Sequence, residues 1–232
     1  MRNRRLITTL LIAGPIAAFA AVYFLFFTPK TPPPVTLEDA PQPPAGDVGD
    51  PVGLWTLQRG SEAGYRVREK LARLPAQSDA VGRTEAVTGQ MTIERQATGL
   101  VARDIRVEVD TTQIRSDEAR RDRALRDRGL QTDRYPRALF VSAGPVAIPP
   151  AAESGSEVRM ELPGQLTIHG VTRPVSIPIE ARLRNGRLEV AGALEFPMND
   201  FAIVPPNVAN IVTVEPRGTM EFQLLLAKSQ SA

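Results

Sequence analysis

The side chains that most often perform catalysis are scarce in this sequence. His169 is the only histidine among 232 residues, and the chain contains no cysteine. With one imidazole and no thiolate, a zinc site would need carboxylates for most of its ligands, which is an unusual ligand set for zinc. The sequence contains no P-loop, dinucleotide-binding fingerprint, nucleophile elbow or H-E-x-x-H motif. The residues therefore predict no metal, no cofactor and no enzymatic activity, and a hydrolase that uses His169 is the least favoured alternative.

Charged residues are concentrated in one arginine-rich stretch, Ser116 to Arg128. Ser116 is a suitable N-cap and Gly129 a suitable residue to follow the last turn, so the stretch predicts one short helix. Asp117 and Arg121 have the i,i+4 spacing at which opposite charges pair, and the same spacing recurs along the helix. Because these charges largely neutralise one another and the chain has a net charge of +2, the sequence argues against nucleic-acid binding.

Strands must position most other residues, because apolar side chains recur at every second position in several stretches. Such alternation is typical of a strand with one buried and one solvent-exposed face. The clearest stretches are Ile105–Val109, Val175–Leu183 and Met220–Leu226. Asn185-Gly186 follows one of them and predicts a hairpin with a type I′ turn, since Asn and Gly accept the positive φ that this turn requires.

Pro178 lies inside an alternating stretch and has no backbone N–H to donate to a sheet. We therefore expect a sheet edge or a β-bulge at this position. Many strands with one inserted helix predict an all-β fold, an antiparallel barrel or sandwich, for a single domain at residues 52–228.

The N-terminal part of the chain predicts a membrane anchor. Residues 6–27 form an uncharged run of 22 residues. As a helix this run is roughly 33 Å long, enough to cross a hydrocarbon core of ~30 Å. Arginines within residues 1–5 place this tail in the cytoplasm by the positive-inside rule, and the rest of the chain outside it. We expect a single-pass protein of the bacterial cell envelope; cleavage of a signal peptide near Ala18-Phe19-Ala20 is the alternative.

A linker separates the predicted anchor from the predicted domain. Residues 28–51 contain eight prolines and few apolar side chains. Such a composition is typical of a semi-rigid, polyproline-like spacer. Residues 229–232 are a short C-terminal tail.

Three stretches of the predicted domain resemble the YceI family of lipid-binding proteins. Gly164 to Val175 is similar to the family signature G-x-L-T-I-x-G-V-T-(K/R)-P-V. Arg121 to Phe140 contains an R-D-x-x-L element and a Y-P-x-x-x-F element in the family's order. Phe196 to Ile203 resembles a later R-x-D-F-G element, and Glu85 to Gly89 fits an earlier V-x-G position. Together these stretches cover most of residues 55–226.

Three positions depart from the family pattern. Ala124 stands where members often have a histidine, Met198 where the later element has its arginine, and Ala202 where that element has its glycine. All three belong to elements that flank the expected barrel mouth. They therefore bear on the choice of lipid head group more than on the fold.

The resemblance implies a lipocalin-like antiparallel β-barrel whose apolar lumen holds an isoprenoid or other long-chain lipid as its ligand. It also permits a homodimer. Alternation places thirteen residues on the lumen face, and direct contact with the lipid is our hypothesis for them. They are Met91, Ile93, Ile105, Val107, Val109, Phe140, Leu166, Ile168, Ile177, Ile179, Met220, Phe222 and Leu224.

Alternation does not distinguish a lumen that holds a ligand from one that is filled by its own side chains. The alternative to lipid binding is therefore a solid-packed barrel that serves as a structural or protein-interaction module of the cell envelope.

Overall fold

The computed structural model describes residues 31–37, 49–71, 77–208 and 212–229. The chain divides into two compact units, Met1–Pro32 and Pro33–Ala232, and nearly all of the described residues belong to the second. The predicted cytoplasmic tail and anchor lie outside the described residues, and so do residues 38–48 of the linker. Within the described ranges, no helix is both long enough and apolar enough to cross a bilayer.

Strands dominate the described part of the chain. They are β1 Gly53–Leu57, β2 Glu62–Leu71, β3 Gln77–Thr84, β4 Val87–Gln96, β5 Gly99–Asp110, β6 Arg115–Ser116, β7 Arg137–Ser142, β8 Val146–Ala147, β9 Val158–Ile168, β10 Val171–Arg184, β11 Arg187–Pro197, β12 Asn207–Val208 and β13 Val212–Lys228. Helix α1 spans Ala119–Ala124 and continues into a π-helical turn, Leu125–Gly129. Three 3-10 helices lie at Thr111–Gln113, Pro150–Ser154 and Met198–Phe201.

Eight antiparallel strands close into a barrel in the order β1-β4-β5-β7-β9-β10-β11-β13. Closure occurs at β1, which pairs with β4 on one side and with the end of β13 on the other. Pairing of β1 with β13 joins the two ends of this strand order and so covers edges that would otherwise be open to aggregation. The predicted all-β antiparallel barrel with one short helix is confirmed.

β13 is long enough to pair with two strands in succession. Its last residues pair with β1, and the stretch from Val212 to Gln223 pairs with β2. β2 then pairs with β3, and β3 with the two-residue strand β6. This extension carries β6 and the start of α1 to one end of the barrel.

The hairpin between β10 and β11 forms as predicted. Asn185 and Gly186 have φ of 50° and 69°, as a type I′ turn requires. Pairing with β11 extends only from Arg184 back to Ile179, whereas β9 pairs with β10 from Val171 to Ala181. Pro178 therefore lies where β10 becomes an edge on its β11 side, which confirms the expectation for this proline.

The helix begins later than predicted, and the expected N-cap is wrong. Ser116 is part of β6, where it pairs with Gly82, and its N–H donates to Asp122 Oδ1 at 2.9 Å. Glu118 is the N-cap instead, and its side chain accepts a hydrogen bond from the N–H of Arg120. Gly129 is the last residue of the π-helical turn instead of the residue that follows it. Strand pairing thus takes precedence over the local capping preference of serine.

Part of the predicted linker lies against the outside of the barrel. The Pro33 carbonyl accepts a hydrogen bond from Arg83 Nη2 at 2.9 Å, and Leu37 is completely buried. Arg83 also pairs with Glu221, a carboxylate that is 1% exposed and faces away from the lumen. Arg66 supplies a second guanidinium to the same carboxylate. This segment is therefore part of the folded unit.

Candidate functional site

The thirteen predicted lumen residues come together in one apolar cluster on the inside of the barrel. Nine of them are buried, and the other four are partly exposed hydrophobic residues packed against the cluster. The partly exposed ones are Val107, Val109, Met220 and Phe222. The structure thus places the set on the inner face, while contact with a ligand stays a prediction.

One end of the barrel is packed tightly; we call it the closed end. Its inward-facing side chains include Trp55, Ile93, Leu100, Leu183 and Leu226, and each is 5% exposed or less. The Trp55 indole N–H donates to the carbonyl oxygen of Pro51 at 2.8 Å, so its one polar atom is satisfied within this packing. The closed end is therefore a dry core.

The opposite end, which we call the open end, has the same apolar lining but different packing. Val107, Val109, Val175, Leu194 and Met220 point inward there and retain solvent-accessible surface. A side chain that faces the inside of a closed barrel remains accessible only where other side chains do not fill the space. The inner face of the open end therefore presents accessible apolar surface.

Inward-facing glycines allow large rings to lie flat against the barrel wall. A Cβ on Gly164 would lie 2.3 Å from Cζ of Phe140, and a Cβ on Gly192 would lie 2.6 Å from Cζ of Phe222. Each ring thus occupies the place that a side chain on the neighbouring strand would take. The rings of Phe140 and Phe222 therefore lie against the wall of the barrel.

Tyr65 repeats this arrangement near the open end. A Cβ on Gly82 would lie 2.4 Å from Cε1 of Tyr65 and 2.9 Å from Cγ2 of Ile114. Register pairs Met220 with Tyr65, Tyr65 with Gly82, and Gly82 with Ser116, so this row of residues shares the inner face. The Tyr65 hydroxyl is buried and has no hydrogen-bond partner.

Two groups of charged residues fasten α1 over the open end. Glu69 on β2 is 7% exposed and accepts hydrogen bonds from Nε and Nη2 of Arg121, both at 3.2 Å. Arg121 also pairs with Asp117, one turn earlier, as the sequence predicted. Asp122 accepts a hydrogen bond from the Ser116 hydroxyl at 2.6 Å. The R-D pair of the family-like motif therefore holds the helix to β2 and β6.

His169 occupies the turn between β9 and β10, as predicted, with a φ of 52°. Its Nδ1 lies 3.1 Å from the carbonyl oxygen of Phe201, which can only accept, so Nδ1 carries the proton. Its ring stacks edge-on against Tyr135 with centroids 4.5 Å apart. Nε2 is buried and unpartnered. These contacts join the β9–β10 turn to the 3-10 helix Met198–Phe201 and make His169 a structural residue of the open end.

Arg173 adds a second link between the same two elements. It pairs in register with Leu166, so it lies on the inner face of β10 close to the rim. Its Nε donates to the Asp200 carbonyl oxygen at 2.9 Å, and its side chain is exposed. Within the residues that the structure describes, no group of three or more His, Cys, Asp or Glu side chains is arranged to hold a metal ion.

Sequence reasoning missed Tyr65 and Glu69, which are the polar side chains of the lumen nearest to α1. Ala63, Tyr65 and Val67 do alternate with polar residues and could have identified the inner face of β2. Glu69 continues this inward series as a carboxylate, which breaks the apolar pattern and shortens the recognisable strand.

Comparisons with known proteins agree with this architecture. A family profile described as "YceI-like domain" matches residues 55–225. A polyisoprenoid binding domain from Saccharophagus degradans has 15% sequence identity and a TM-score of 0.58, and the match covers 77% of this chain and 99% of that chain. BcnA from Burkholderia cenocepacia has 16% identity and a TM-score of 0.54, with 73% and 98% covered. The YCEI protein of Campylobacter jejuni has 13% identity and a TM-score of 0.53, with 69% and 91% covered.

At these identities the structural matches show a shared fold. No curated protein sequence matches the chain.

Proposed function

The chain belongs to the YceI-like family, and from that premise we propose that it is a membrane-tethered, extracytoplasmic protein that binds an isoprenoid or other long-chain lipid in its barrel lumen. The observation that carries this proposal is the solvent-accessible apolar surface on inward-facing side chains of the open end. An apolar chain that covers a few hundred Å² of such surface gains several kcal/mol at about 25 cal/mol per Å².

The glycine–aromatic pairs support a ligand that is long and narrow. Phe140 and Phe222 lie over Gly164 and Gly192, so the largest inward side chains occupy the wall. A flexible chain can then enter along the axis without displacing them. A solid-packed barrel has no need for this arrangement, because its rings can fill the axis directly.

The choice of an isoprenoid is supported by one relative. The similar structure from Saccharophagus degradans is described as a polyisoprenoid binding domain. Its fold is shared with this chain. The lumen of this chain is lined mainly by apolar side chains. We therefore propose a polyisoprenoid chain as the first ligand to test.

The tether is proposed from the sequence of residues 6–27 and the arginines before it. An anchor of this kind holds a binding domain at high effective concentration beside a membrane. We propose that the protein holds or presents its lipid at one bilayer surface, on the side away from the cytoplasm.

Binding without catalysis is part of the proposal. His169 donates to a backbone carbonyl and stacks on Tyr135, and among the residues that the structure describes no carboxylate is hydrogen-bonded to it as in the partner of a nucleophile. The buried carboxylate of Glu69 near the lumen is engaged in an ion pair with Arg121 that holds α1 to β2.

Native mass spectrometry of the full-length chain, reconstituted in phospholipid nanodiscs with added geranylgeraniol, tests the proposal. We expect one bound chain per barrel. Val107→Trp places a large ring in the open end and should abolish this adduct. Val141→Trp adds the same ring to the outer face of β7, where Val141 is 37% exposed, and should leave it unchanged.

If the wild-type chain takes up neither geranylgeraniol nor any co-purified lipid, the lipid-binding function is wrong. The solid-packed structural module is then the better interpretation. Equal loss of lipid in both tryptophan variants would also contradict a binding site inside the barrel.

A further inference from the structure

We propose that the Tyr65 hydroxyl is the head-group contact of the lumen, and that it selects chains that end in an uncharged oxygen acceptor over chains that end in a diphosphate. This inference rests on the proposed function, because it names the polar end of the same ligand. It assigns a specific hydrogen-bond donor and a chemical class to a site that is otherwise apolar.

The first argument is the position of the hydroxyl. Ala63 and Val67, two residues before and after Tyr65, belong to the apolar cluster or pack against it. Tyr65 therefore faces the lumen, since side chains two apart on a strand share a face. Its hydroxyl is buried and has no partner. A buried polar group without a partner is costly and rare in native proteins, so an unpaired hydroxyl in a ligand cavity indicates a partner supplied by the ligand.

The second argument is the fixed position of the ring. The backbone of Gly82 and the side chain of Ile114 confine it, and any side chain at position 82 would collide with it. Met220 is its neighbour on the other side, in register on β13. A donor held this way loses little conformational entropy when a ligand binds, which favours its use in recognition.

The third argument is the protonation state. Burial raises the pKa of Tyr65 well above the ordinary tyrosine value of 10.0, and the nearby Arg121 lowers it by a smaller amount. The phenol therefore keeps its proton throughout the physiological range. This hydroxyl keeps its proton and has no acceptor within hydrogen-bond distance. It can therefore donate to an acceptor atom on the ligand.

The fourth argument is the local charge. Glu69, Asp117 and Asp122 act on Tyr65 together with one guanidinium, that of Arg121. Arg121 is already engaged by Glu69 and Asp117. A diphosphate at the hydroxyl would bring further negative charge close to the buried Glu69 and partly buried Asp122 carboxylates, which is unfavourable. A ketone, ester or alcohol oxygen can accept the hydrogen bond without this repulsion.

Three lipids of similar length test the assignment on the full-length protein in nanodiscs. They are geranylgeranylacetone, geranylgeranyl diphosphate and the hydrocarbon pristane. We expect the wild-type chain to bind the ketone more tightly than the diphosphate. Tyr65→Phe keeps the ring and removes one oxygen, so it should weaken ketone binding about five- to tenfold. Pristane has no acceptor and is the matched control, with unchanged affinity.

The same variant separates a binding role from a structural one. Because an unpartnered hydroxyl is removed, the ligand-free Tyr65→Phe chain should melt about 2–4 °C higher than the wild type. A hydroxyl that only supports the fold would instead lower the melting temperature when it is removed.

Two results would overturn the assignment while leaving the proposed function intact. One is ketone binding that is equal in the wild type and in Tyr65→Phe; the other is a wild-type preference for the diphosphate. If the wild-type chain binds none of the three probes, the proposed function fails and this inference fails with it.

Discussion

The two ends of the barrel have similar apolar linings and opposite packing. At the closed end, Trp55 and Leu226 are almost completely buried, and the only indole N–H of the described chain is satisfied by Pro51. At the open end, Val107 and Met220 retain accessible surface on the inner face. The closed end thus resembles the core of an ordinary small domain, and the open end resembles a ligand pocket.

The polar residues follow the same division. Glu69, Arg121 and the unpartnered Tyr65 hydroxyl are grouped at the open end. The buried pair of Arg182 and Glu189 lies nearer the closed end, on the outer side of the β10–β11 hairpin. Under the proposed function, stability and lipid binding depend on different halves of one continuous lumen. This separation predicts that similar substitutions at the two ends have different effects on the free energy of unfolding and on lipid binding.

The largest effect is expected between the two ends, at Gly164. A Cβ there would lie 2.3 Å from Cζ of Phe140 and 2.5 Å from the backbone oxygen of Val141. Gly164→Ala should lower the free energy of unfolding by about 2–3 kcal/mol, because neither neighbour can move freely. Denaturant unfolding measures this change. Gly144→Ala is the control, since a Cβ at Gly144 meets nothing within 4 Å; equal losses in both variants would contradict the role of ring placement.

A smaller effect compares two positions on β5. Ala102 is buried at the closed end, so Ala102→Leu should cost about 1–2 kcal/mol of unfolding free energy through overpacking. Val107→Phe places an aromatic ring at the open end, and we expect less than about 1 kcal/mol of destabilisation there. The second variant should instead weaken geranylgeraniol binding about tenfold. If Val107→Phe destabilises the protein as much as Ala102→Leu, the open end is as tightly packed as the closed end.

The third prediction concerns Ala202, which stands where the family has a glycine. Its φ of 54° and ψ of 25° are left-handed, a conformation that costs a non-glycine residue about 1–2 kcal/mol. Ala202→Gly should therefore raise the free energy of unfolding by roughly 0.5–1 kcal/mol, after the greater backbone entropy of glycine is included. Ala151→Gly, in the 3-10 helix near the closed end, should have the opposite sign. A loss of stability in both variants would contradict the strain at Ala202.

The smallest expected effect is a decrease in the free energy of unfolding at alkaline pH. Burial raises the pKa of Tyr65 above its unfolded value near 10.0, so the unfolded chain loses this proton first as the pH rises. The stability that the protonated phenol contributes is therefore complete well below pH 10 and declines as the pH rises through that value. Relative to Tyr65→Phe, the wild-type free energy of unfolding should fall by about 0.4 kcal/mol between pH 9 and pH 10. Parallel pH profiles for the two proteins would show that Tyr65 ionises as readily in the folded state.

Most of the fold was predictable because strand alternation and turn chemistry are local. Asn185-Gly186 needs only its two backbone angles, and the alternation of Ile105, Val107 and Val109 follows from the β geometry of one segment. The thirteen lumen residues were found in this way, and they share one cluster. The features that failed depend on partners far away in the chain.

Ser116 illustrates such a failure. Its type and position favour a helix N-cap, but pairing with Gly82 places it in a strand. Leu37 lies in a proline-rich stretch that is typical of a free linker, yet it is completely buried. No local sequence pattern distinguishes Tyr65, whose hydroxyl is buried without a hydrogen-bond partner. In each case the deciding contact joins segments that local patterns treat separately.

The pairing of rings with glycines has a consequence for how this protein can change. The width of the lumen is set jointly by Gly192 and Phe222, since one supplies the gap that the other fills. A side chain gained at the glycine requires a smaller residue at the ring, so we expect the two positions to covary among relatives. A glycine retained beside a smaller residue would instead leave more room in the lumen. The size of the paired residue would then determine how many carbon atoms of a lipid the lumen accepts. Selection for a different chain length can therefore act on these pairs without disturbing either end of the barrel.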